Sequence, residues 1–417
     1  MRIFKSLLET SRTFLTTLLL LLLISACSRT YNSEPEMNWV GTWSTAQQLV
    51  EPHNMPPEPG LNGNTIRQVV RVSLGGEQMR FLVSNQFSNK PVSIHAIHIA
   101  ASSGGSSIDT STKVSLTFES ETAITIPPGE FQISDPCSFD LETLSEVAIT
   151  MHIDSVSSNL TGHPGSRTTS YIVPGNKISA EEFPDAITTD HWYLIDAIDV
   201  LAPDSAASIV TLGNSITDGR GSGTNKQNRW PDELANRLQV NESTNHISVL
   251  NQGIGGNCVL RECLGPSAID RFERDVLDQT GIKWLIILEG VNDIGGIRRS
   301  GQADTVAQKL ISAYRDMIDR AHNQDILVYG ATIMPFGDSF YDEPASEQAR
   351  QTVNEWMRNS GEFDSVIDLD KALGDPENPT RLLPIADTGD HLHPNETGHR
   401  LIAEAIDLTL FEKIETP

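Results

Sequence analysis

Ile209-Val210-Thr211-Leu212-Gly213-Asn214-Ser215-Ile216-Thr217-Asp218-Gly219 joins an apolar run to a glycine-flanked turn that carries a serine. The run is short and uninterrupted, as a strand buried on both faces should be. Four similar runs follow at residues 247–250, 284–288, 326–330 and 366–369. Longer helical stretches lie between them. In one, Val306, Leu310, Tyr314, Met317 and Ala321 fall three to four apart and share a helix face. Another opens with Pro231, suited to a first helical turn, with Asp232 and Glu233 near the positive end of the helix dipole. Alternating strands and helices over 204–417 predict an α/β domain of three layers, a parallel sheet covered by helices on both faces. Ligands of such sheets bind outside the carboxyl ends of the strands. The four blocks that carry the chemistry below follow those ends.

Residues 38–203 have a different period. Val69-Val70-Arg71-Val72, Met79-Arg80-Phe81-Leu82-Val83 and Val114-Ser115-Leu116-Thr117-Phe118 are short and rich in β-formers. Turn clusters punctuate them at Gly75-Gly76, 102–107, Pro127-Pro128-Gly129 and Pro174-Gly175-Asn176. No helical stripe of useful length and no fixed-period repeat interrupts the pattern. An all-β domain, sandwich-like or jelly-roll, is expected.

The first 26 residues read as an export signal. Arg2, Lys5 and Arg12 precede an apolar run at 14–24 that is too short to span a bilayer comfortably. The run ends in Ile24-Ser25-Ala26-Cys27, which resembles a bacterial lipobox. The resemblance implies cleavage before Cys27 and acylation there, an anchor of several chains. Residues 27–37 then form a tether. The expected location is the periplasm, outer membrane or cell surface, with membrane contact only through the lipid.

With 38% hydrophobic residues the chain can bury a real core, and its length suits two domains. A net charge of −25 argues against nucleic acid or anionic membrane surfaces as partners. An exported protein can hold a disulfide, and Cys258 and Cys263 are the close pair, leaving Cys137 over.

Ser215 sits where a strand turns into a helix, which exposes a hydroxyl. Serine is a weak nucleophile until a base takes its proton, and Gly-Asn-Ser read alone is a turn or a helix cap. A base is available in Asp390-His391-Leu392-His393-Pro394-Asn395. Histidine titrates in the right range, and a carboxylate must hold its tautomer. Asp390 lies three residues before His393 and Asp387 six, and His391 is a second imidazole of the same type. Metal binding through His391, His393 and His399 is the bland alternative, since His-x-His is a weak zinc signal by itself.

These blocks resemble those of the SGNH (GDSL-type) hydrolase family, over roughly 205–411. Gly213-Asn214-Ser215 looks like the nucleophile block and Asn251-Gln252-Gly253-Ile254-Gly255-Gly256 like the second. Gly290-Val291-Asn292-Asp293 is similar to the third block and Asp390 to His393 to the last, all in family order. The resemblance implies Ser215 as nucleophile, His393 as base and Asp390 as its orienting carboxylate. It implies an oxyanion hole from the N–H groups of Ser215 and Gly256 and the side-chain amide of Asn292, with no metal and no organic cofactor. Two departures stand out: Asn214 where the family usually has aspartate, and His391 where it usually has glycine. The front half, from Trp39-Val40-Gly41-Thr42-Trp43, resembles the extra N-terminal domain of bacterial members grouped with polysaccharide esterases. The expected activity is therefore removal of acetyl or other short acyl groups from carbohydrate, the substrate being an esterified small molecule or polysaccharide. A lipase, phospholipase or thioesterase of the same family is the nearest alternative. A polysaccharide-binding lipoprotein with a vestigial catalytic half is the alternative from another class. Arg220, Arg229, Trp230 and Arg298 lie near these blocks in sequence, facing either a sugar or carboxylated substrate or solvent.

Overall fold

The computed structural model describes residues 36–412. The signal segment, the lipidation candidate Cys27 and nearly all of the tether lie outside the described residues. Met37, assigned above to the end of the tether, is instead the first residue of a strand, Met37–Ser44.

The five apolar runs form one parallel sheet. Ala207–Gly213 lies between Ile247–Gly253 and Ile282–Leu288, and Leu327–Ala331 and Ser365–Ile367 extend the sheet beyond the latter. Ala207–Gly213 is buried at every position, which explains why it reads as a continuous apolar run rather than an alternation. Val210, Leu212, Leu285 and Ile287 pack with Leu310, Tyr314, Met317, Val353 and Met357 of the helices Ser300–His322 and Pro344–Asn359. Ile209, Val249, Trp284 and Ile286 pack instead with Leu234, Leu238, Ile402 and Ala403 of Trp230–Gln239 and Glu396–Glu404. Helices therefore cover both faces, the three layers expected. The chain leaves Ala207–Gly213 toward one neighbour and later returns to its other side. The carboxyl end of that strand is thus a switch point, where open α/β sheets bind ligands.

Residues 37–203 are all-β apart from a single short turn of helix, Pro52–Asn54. One antiparallel sheet runs in the order Met37–Ser44, Ile195–Pro203, Gly76–Ser84, Cys137–Leu141. The other runs Ile187–Thr189, Ser170–Pro174, Asn64–Arg71, Glu146–Ser155, Val92–Gly104, Ser107–Ile108. Met79, Phe81, Val83, Ile198 and Val200 of the first share a core with Ile66, Val70, Ile97, Ile99, Ile149 and Met151 of the second. The stretch 114–118 is a strand only at Val114–Ser115, and Phe118 pairs with Glu121 across a tight turn.

The two regions are tied together. Gly41 N–H donates to the Thr280 carbonyl (2.9 Å), Ser248 Oγ donates to the Gly41 carbonyl (2.5 Å) and Gln252 Nε2 donates to Ser44 Oγ (2.7 Å). The contact is close enough that a Cβ on Gly41 would meet Leu250 Cδ1 at 2.8 Å. Met37–Ser44 thereby covers the outer side of Ile247–Gly253, an edge strand that would otherwise be open to pairing. From Met37 onward the chain is one compact unit.

Candidate active site

Ser215 opens the short helix Ser215–Asp218, directly after the central strand. Asn214 is the N-cap: its Oδ1 accepts from Ile216 N–H (3.1 Å), and its carbonyl accepts from Thr217 and Asp218 N–H (3.0 and 2.8 Å). The cap thus uses the other donors of the first turn and leaves the N–H of Ser215. The aspartate-to-asparagine departure is also accounted for. Asn214 Nδ2 donates to the Leu288 carbonyl (3.4 Å) and to Glu289 Oε2 (3.3 Å), which an aspartate there could not do. Burial pushes the Glu289 carboxyl up to about 8, against the pull of Arg271.

Ser215 Oγ lies 2.9 Å from His393 Nε2, and His393 Nδ1 lies 2.7 Å from Asp390 Oδ2. Asp390 Oδ1 accepts from the N–H groups of His393 (2.9 Å) and Leu392 (3.1 Å) and from the Thr388 hydroxyl (2.9 Å). Burial opposes ionisation of Asp390, but these bonds and the His393 ring hold it well below the usual carboxylate range. Burial lowers the His393 imidazole. Asp390 pulls it back up, Arg220 and Arg167 push it down again, and the net shift is downward.

Asp387 makes a parallel pair with the other imidazole, His391 Nδ1, at 2.6 Å. The His391 side chain is 45% exposed, against 6% for His393. The loop closes by Thr388 N–H to the His393 carbonyl (3.1 Å) and Asn395 N–H to the Ala386 carbonyl (2.8 Å). The helix after it begins at Glu396 with Asn395 as N-cap, two residues beyond Pro394. His399, the third candidate metal ligand, accepts from Trp230 N–H at Nδ1 (3.2 Å) and donates from Nε2 to the Arg220 carbonyl (3.1 Å). The three imidazoles therefore go to three different sets of partners.

The oxyanion candidates line the same cleft as Ser215 and His393, which has a volume of about 440 Å³. Gly256 has φ +71° in a turn closed by Asn257 N–H to the Ile254 carbonyl (3.1 Å). A Cβ there would be strained and would meet Leu264 Cδ1 at 2.8 Å. Asn292 donates one Nδ2 hydrogen to the Asn257 carbonyl (2.6 Å), and its Oδ1 accepts from the Tyr341 hydroxyl (3.0 Å). The amide is thereby fixed with its second hydrogen unused by these two bonds. Asp293 holds the adjacent loop, accepting from Val259 and Leu260 N–H (2.8 and 3.0 Å). A disulfide joins Cys258 to Cys263 in that loop, with Cα atoms 5.7 Å apart, and Cys137 is a half-buried free thiol.

One part of the cleft has no counterpart in the sequence reading. Glu51, Asn54, Arg167 and His191 of the β region form a wall of it. The connection runs through Asp218, at the end of the Ser215 helix. His163 Nε2 lies 2.9 Å from Asp218 Oδ1, and Arg167 Nη2 lies 3.5 Å from Oδ2. Gly165 packs so closely that a Cβ on it would run into the Asp218 carboxylate. Arg229 Nη2 donates to the Ser166 carbonyl (2.6 Å) from the other direction. Arg229 and Trp230 are buried structural residues, not a solvated face.

A five-stranded parallel sheet with serine, histidine and aspartate joined at its switch point has the architecture of a hydrolase. Residues 211–401 match the GDSL-like Lipase/Acylhydrolase family, and that segment is a domain of this (SGNH) family. Among solved structures, the chain is similar to a putative lipolytic protein of the G-D-S-L family from Desulfitobacterium hafniense DCB-2 (20% identity, 48% of this chain and 97% of that one, TM-score 0.35). It is similar also to an acetyl xylan esterase from Geobacillus stearothermophilus (21%, 51% and 98%, TM-score 0.37). A third is the acetyl xylan esterase AlAXEase (22%, 48% and 96%, TM-score 0.36). No curated protein matches the chain.

Proposed function

We propose that the protein is a serine esterase that removes acetyl or other short acyl groups from carbohydrate, held at the cell envelope by a lipid on Cys27. The observation that carries this is the continuous hydrogen-bonded path Asp390–His393–Ser215, at 2.7 and 2.9 Å, ending in a cleft that also contains Gly256 and Asn292. His393 Nε2 takes the Ser215 proton as Oγ bonds to the ester carbonyl carbon, and Asp390 stabilises the imidazolium. The N–H groups of Ser215 and Gly256 and the Asn292 amide hold the oxyanion. Collapse of the tetrahedral intermediate breaks the bond to the alcohol, which leaves with the proton from His393. Water, deprotonated by the same histidine, then releases the acid and restores Ser215.

The short-acyl preference is supported by the cleft itself. Its apolar lining beside the oxyanion donors consists of Leu264, Phe340 and Tyr341, with Leu392 near His393. Hydrolysis rates on nitrophenyl acetate, butyrate and palmitate test the reading. Rates should fall steeply with chain length. A maximum at palmitate would favour a lipase, and absence of hydrolysis with any of the three would favour a binding protein.

A further inference from the structure

We infer that Arg167 and Arg220 form a carboxylate-binding subsite on the alcohol side of the cleft, so that the preferred substrate is an acyl ester of an acidic sugar. This rests on the esterase reading above and adds the class of alcohol to it.

Both arginines line the cleft that holds Ser215 and His393. They arrive from different parts of the fold. Arg220 follows the nucleophile helix, and its N–H donates to the Ser215 carbonyl at 2.8 Å, so its backbone is fixed relative to the nucleophile. Arg167 comes from the β region, on a residue with φ +52°. Side chains rarely adopt that backbone conformation, and residues held in it cluster at functional sites.

Neither guanidinium is used up by the protein. Among the described residues that of Arg220 has no hydrogen bond or ion pair, and the residue is exposed. Arg167 has a buried Nε with no hydrogen-bond partner. Its one ion contact, Asp218 Oδ2 at 3.5 Å, is long, and the other oxygen of that carboxylate faces His163 at 2.9 Å. The remaining acid of the wall, Glu51, is engaged by Gln48 Nε2 (2.7 Å) and Asn54 Nδ2 (3.0 Å). A chain with 55 acidic and 30 basic residues thus places two under-used guanidinium groups beside its nucleophile.

The side of the cleft follows from the chemistry. Gly256 and Asn292 mark where the carbonyl oxygen goes, and Leu264 and Tyr341 adjoin them, which puts the acyl group there. The alcohol must lie where His393 can protonate it. Arg220 is on that side: Gly221, next to it, packs so closely on the His393 loop that a Cβ there would meet Thr388 and the Pro394 carbonyl, and Arg167 faces the same cleft. A planar guanidinium offers paired N–H donors that match the two oxygens of a carboxylate. A carboxylate there would take up donors of the exposed Arg220 guanidinium and of the exposed part of Arg167.

The test compares kcat/KM on an acetylated oligoglucuronate and an acetylated xylo-oligosaccharide of equal length, with nitrophenyl acetate as the esterase control. The wild-type protein should prefer the uronate, and its KM for the uronate alone should rise with salt. Arg220→Gln should lower the uronate-to-xylose ratio by roughly 10-fold, mainly through KM, as expected for one charge-assisted contact. Arg220→Lys should keep part of the preference, and Arg220→Glu should abolish it. Arg167→Gln should act in the same direction. Because Arg167 also touches Asp218, the exposed Arg220 carries the decision if the Arg167 variant fails to fold. A wild-type protein without preference, or an Arg220→Gln protein that loses both substrates equally, would overturn the subsite while leaving the esterase standing. Failure to hydrolyse nitrophenyl acetate as well would remove the esterase reading itself.

Discussion

Replacing Asp390 with Asn tests the relay with least change of shape. Asp390 uses both oxygens: Oδ2 faces His393 Nδ1 at 2.7 Å, and Oδ1 accepts two backbone N–H groups and the Thr388 hydroxyl at 2.9–3.1 Å. An asparagine has one acceptor and one donor end. If its oxygen stays with the three donors, its NH₂ faces Nδ1. The ring must then carry its proton on Nε2, pointing at Ser215, and cannot act as base. If the amide flips, Nδ1 keeps an acceptor, but the NH₂ confronts two backbone N–H groups that cannot turn away. The first arrangement sacrifices only catalysis and should prevail. The expected loss is about 10⁴ in kcat, on the order of 5 kcal/mol of transition-state stabilisation. Asp387→Asn is the control, because its imidazole is the half-exposed His391 rather than the ring that meets Ser215. It should stay within a few-fold of the unmodified protein. Turnover of nitrophenyl acetate, with urea melts to verify folding, measures both. A larger loss at Asp387 than at Asp390, or an Asp390→Asn protein within ten-fold of wild type, would refute the reasoning.

Ser215→Ala should remove nearly all hydrolysis and leave the melting transition in place, and retention of a tenth of the turnover would contradict the nucleophile assignment. Asn292→Ala should lower kcat by roughly 10²–10³, the usual loss for one oxyanion donor, whereas a raised KM with unchanged kcat would contradict that role. The base must be neutral to accept the serine proton, and burial, with Arg220 and Arg167 adding to it, holds His393 below its ordinary 6.5 despite Asp390. The acid limb of kcat/KM should therefore fall below pH 6.5, with activity rising as pH rises through it, and a limb centred above 7 would contradict the assignment. Gly165→Ala should destabilise the protein by about 1–3 kcal/mol, the usual penalty of overpacking, because its Cβ has no space beside Asp218; an unchanged urea midpoint would argue against that contact.

The sheet was legible because its strands are buried on both faces and leave unbroken apolar runs, all five of which lie in the parallel ladder. The first three blocks follow or overlap the ends of Ala207–Gly213, Ile247–Gly253 and Ile282–Leu288, but the last does not: a helix, a small hairpin and a short turn lie between Ser365–Ile367 and Asp390. Each aspartate pairs with a nearby histidine, Asp390 with His393 three residues on and Asp387 with His391 four residues on, and only the resemblance distinguished the first pair in advance. Residues 114–118 show the limit of composition. The five residues favour strand, but Asp135 accepts from the N–H groups of Glu119 and Ser120, both at positive φ, and the chain turns there. The β-region wall of the cleft left no signal at all. It is positioned by a small sheet of Gln48–Leu49, Thr161–His163 and Trp192–Tyr193, strands too short to show a period. Of its residues, His163 ends a three-residue strand, and Gly165 and Arg167 lie in the loop after it. Tyr341 is similar: only its hydroxyl, 3.0 Å from Asn292, distinguishes it from any aromatic on a loop.

The change of architecture near residue 203 is not a point at which the molecule comes apart. Asp199, on the last strand of the β region, accepts from Arg80 on its own side and from the Thr280 hydroxyl (2.9 Å) on the other. Arg274 Nη2 donates to the Gln47 carbonyl (3.0 Å), and Arg71 Nη2 donates to Asn236 Oδ1 (2.7 Å). Ser73 Oγ accepts from Val249 N–H (3.0 Å), inside the parallel sheet itself. Removing either region would strand these groups, several of them buried, at a cost of about 1–3 kcal/mol for each left unpaired. The same contacts reach the chemistry, because Asp218 ends the helix that Ser215 begins and is gripped by His163 from the β region. Ser215, His393 and Asp390 themselves all come from the α/β region. What the β region adds is a wall of the cleft that holds Ser215 and His393, made by Glu51, Asn54, Arg167 and His191.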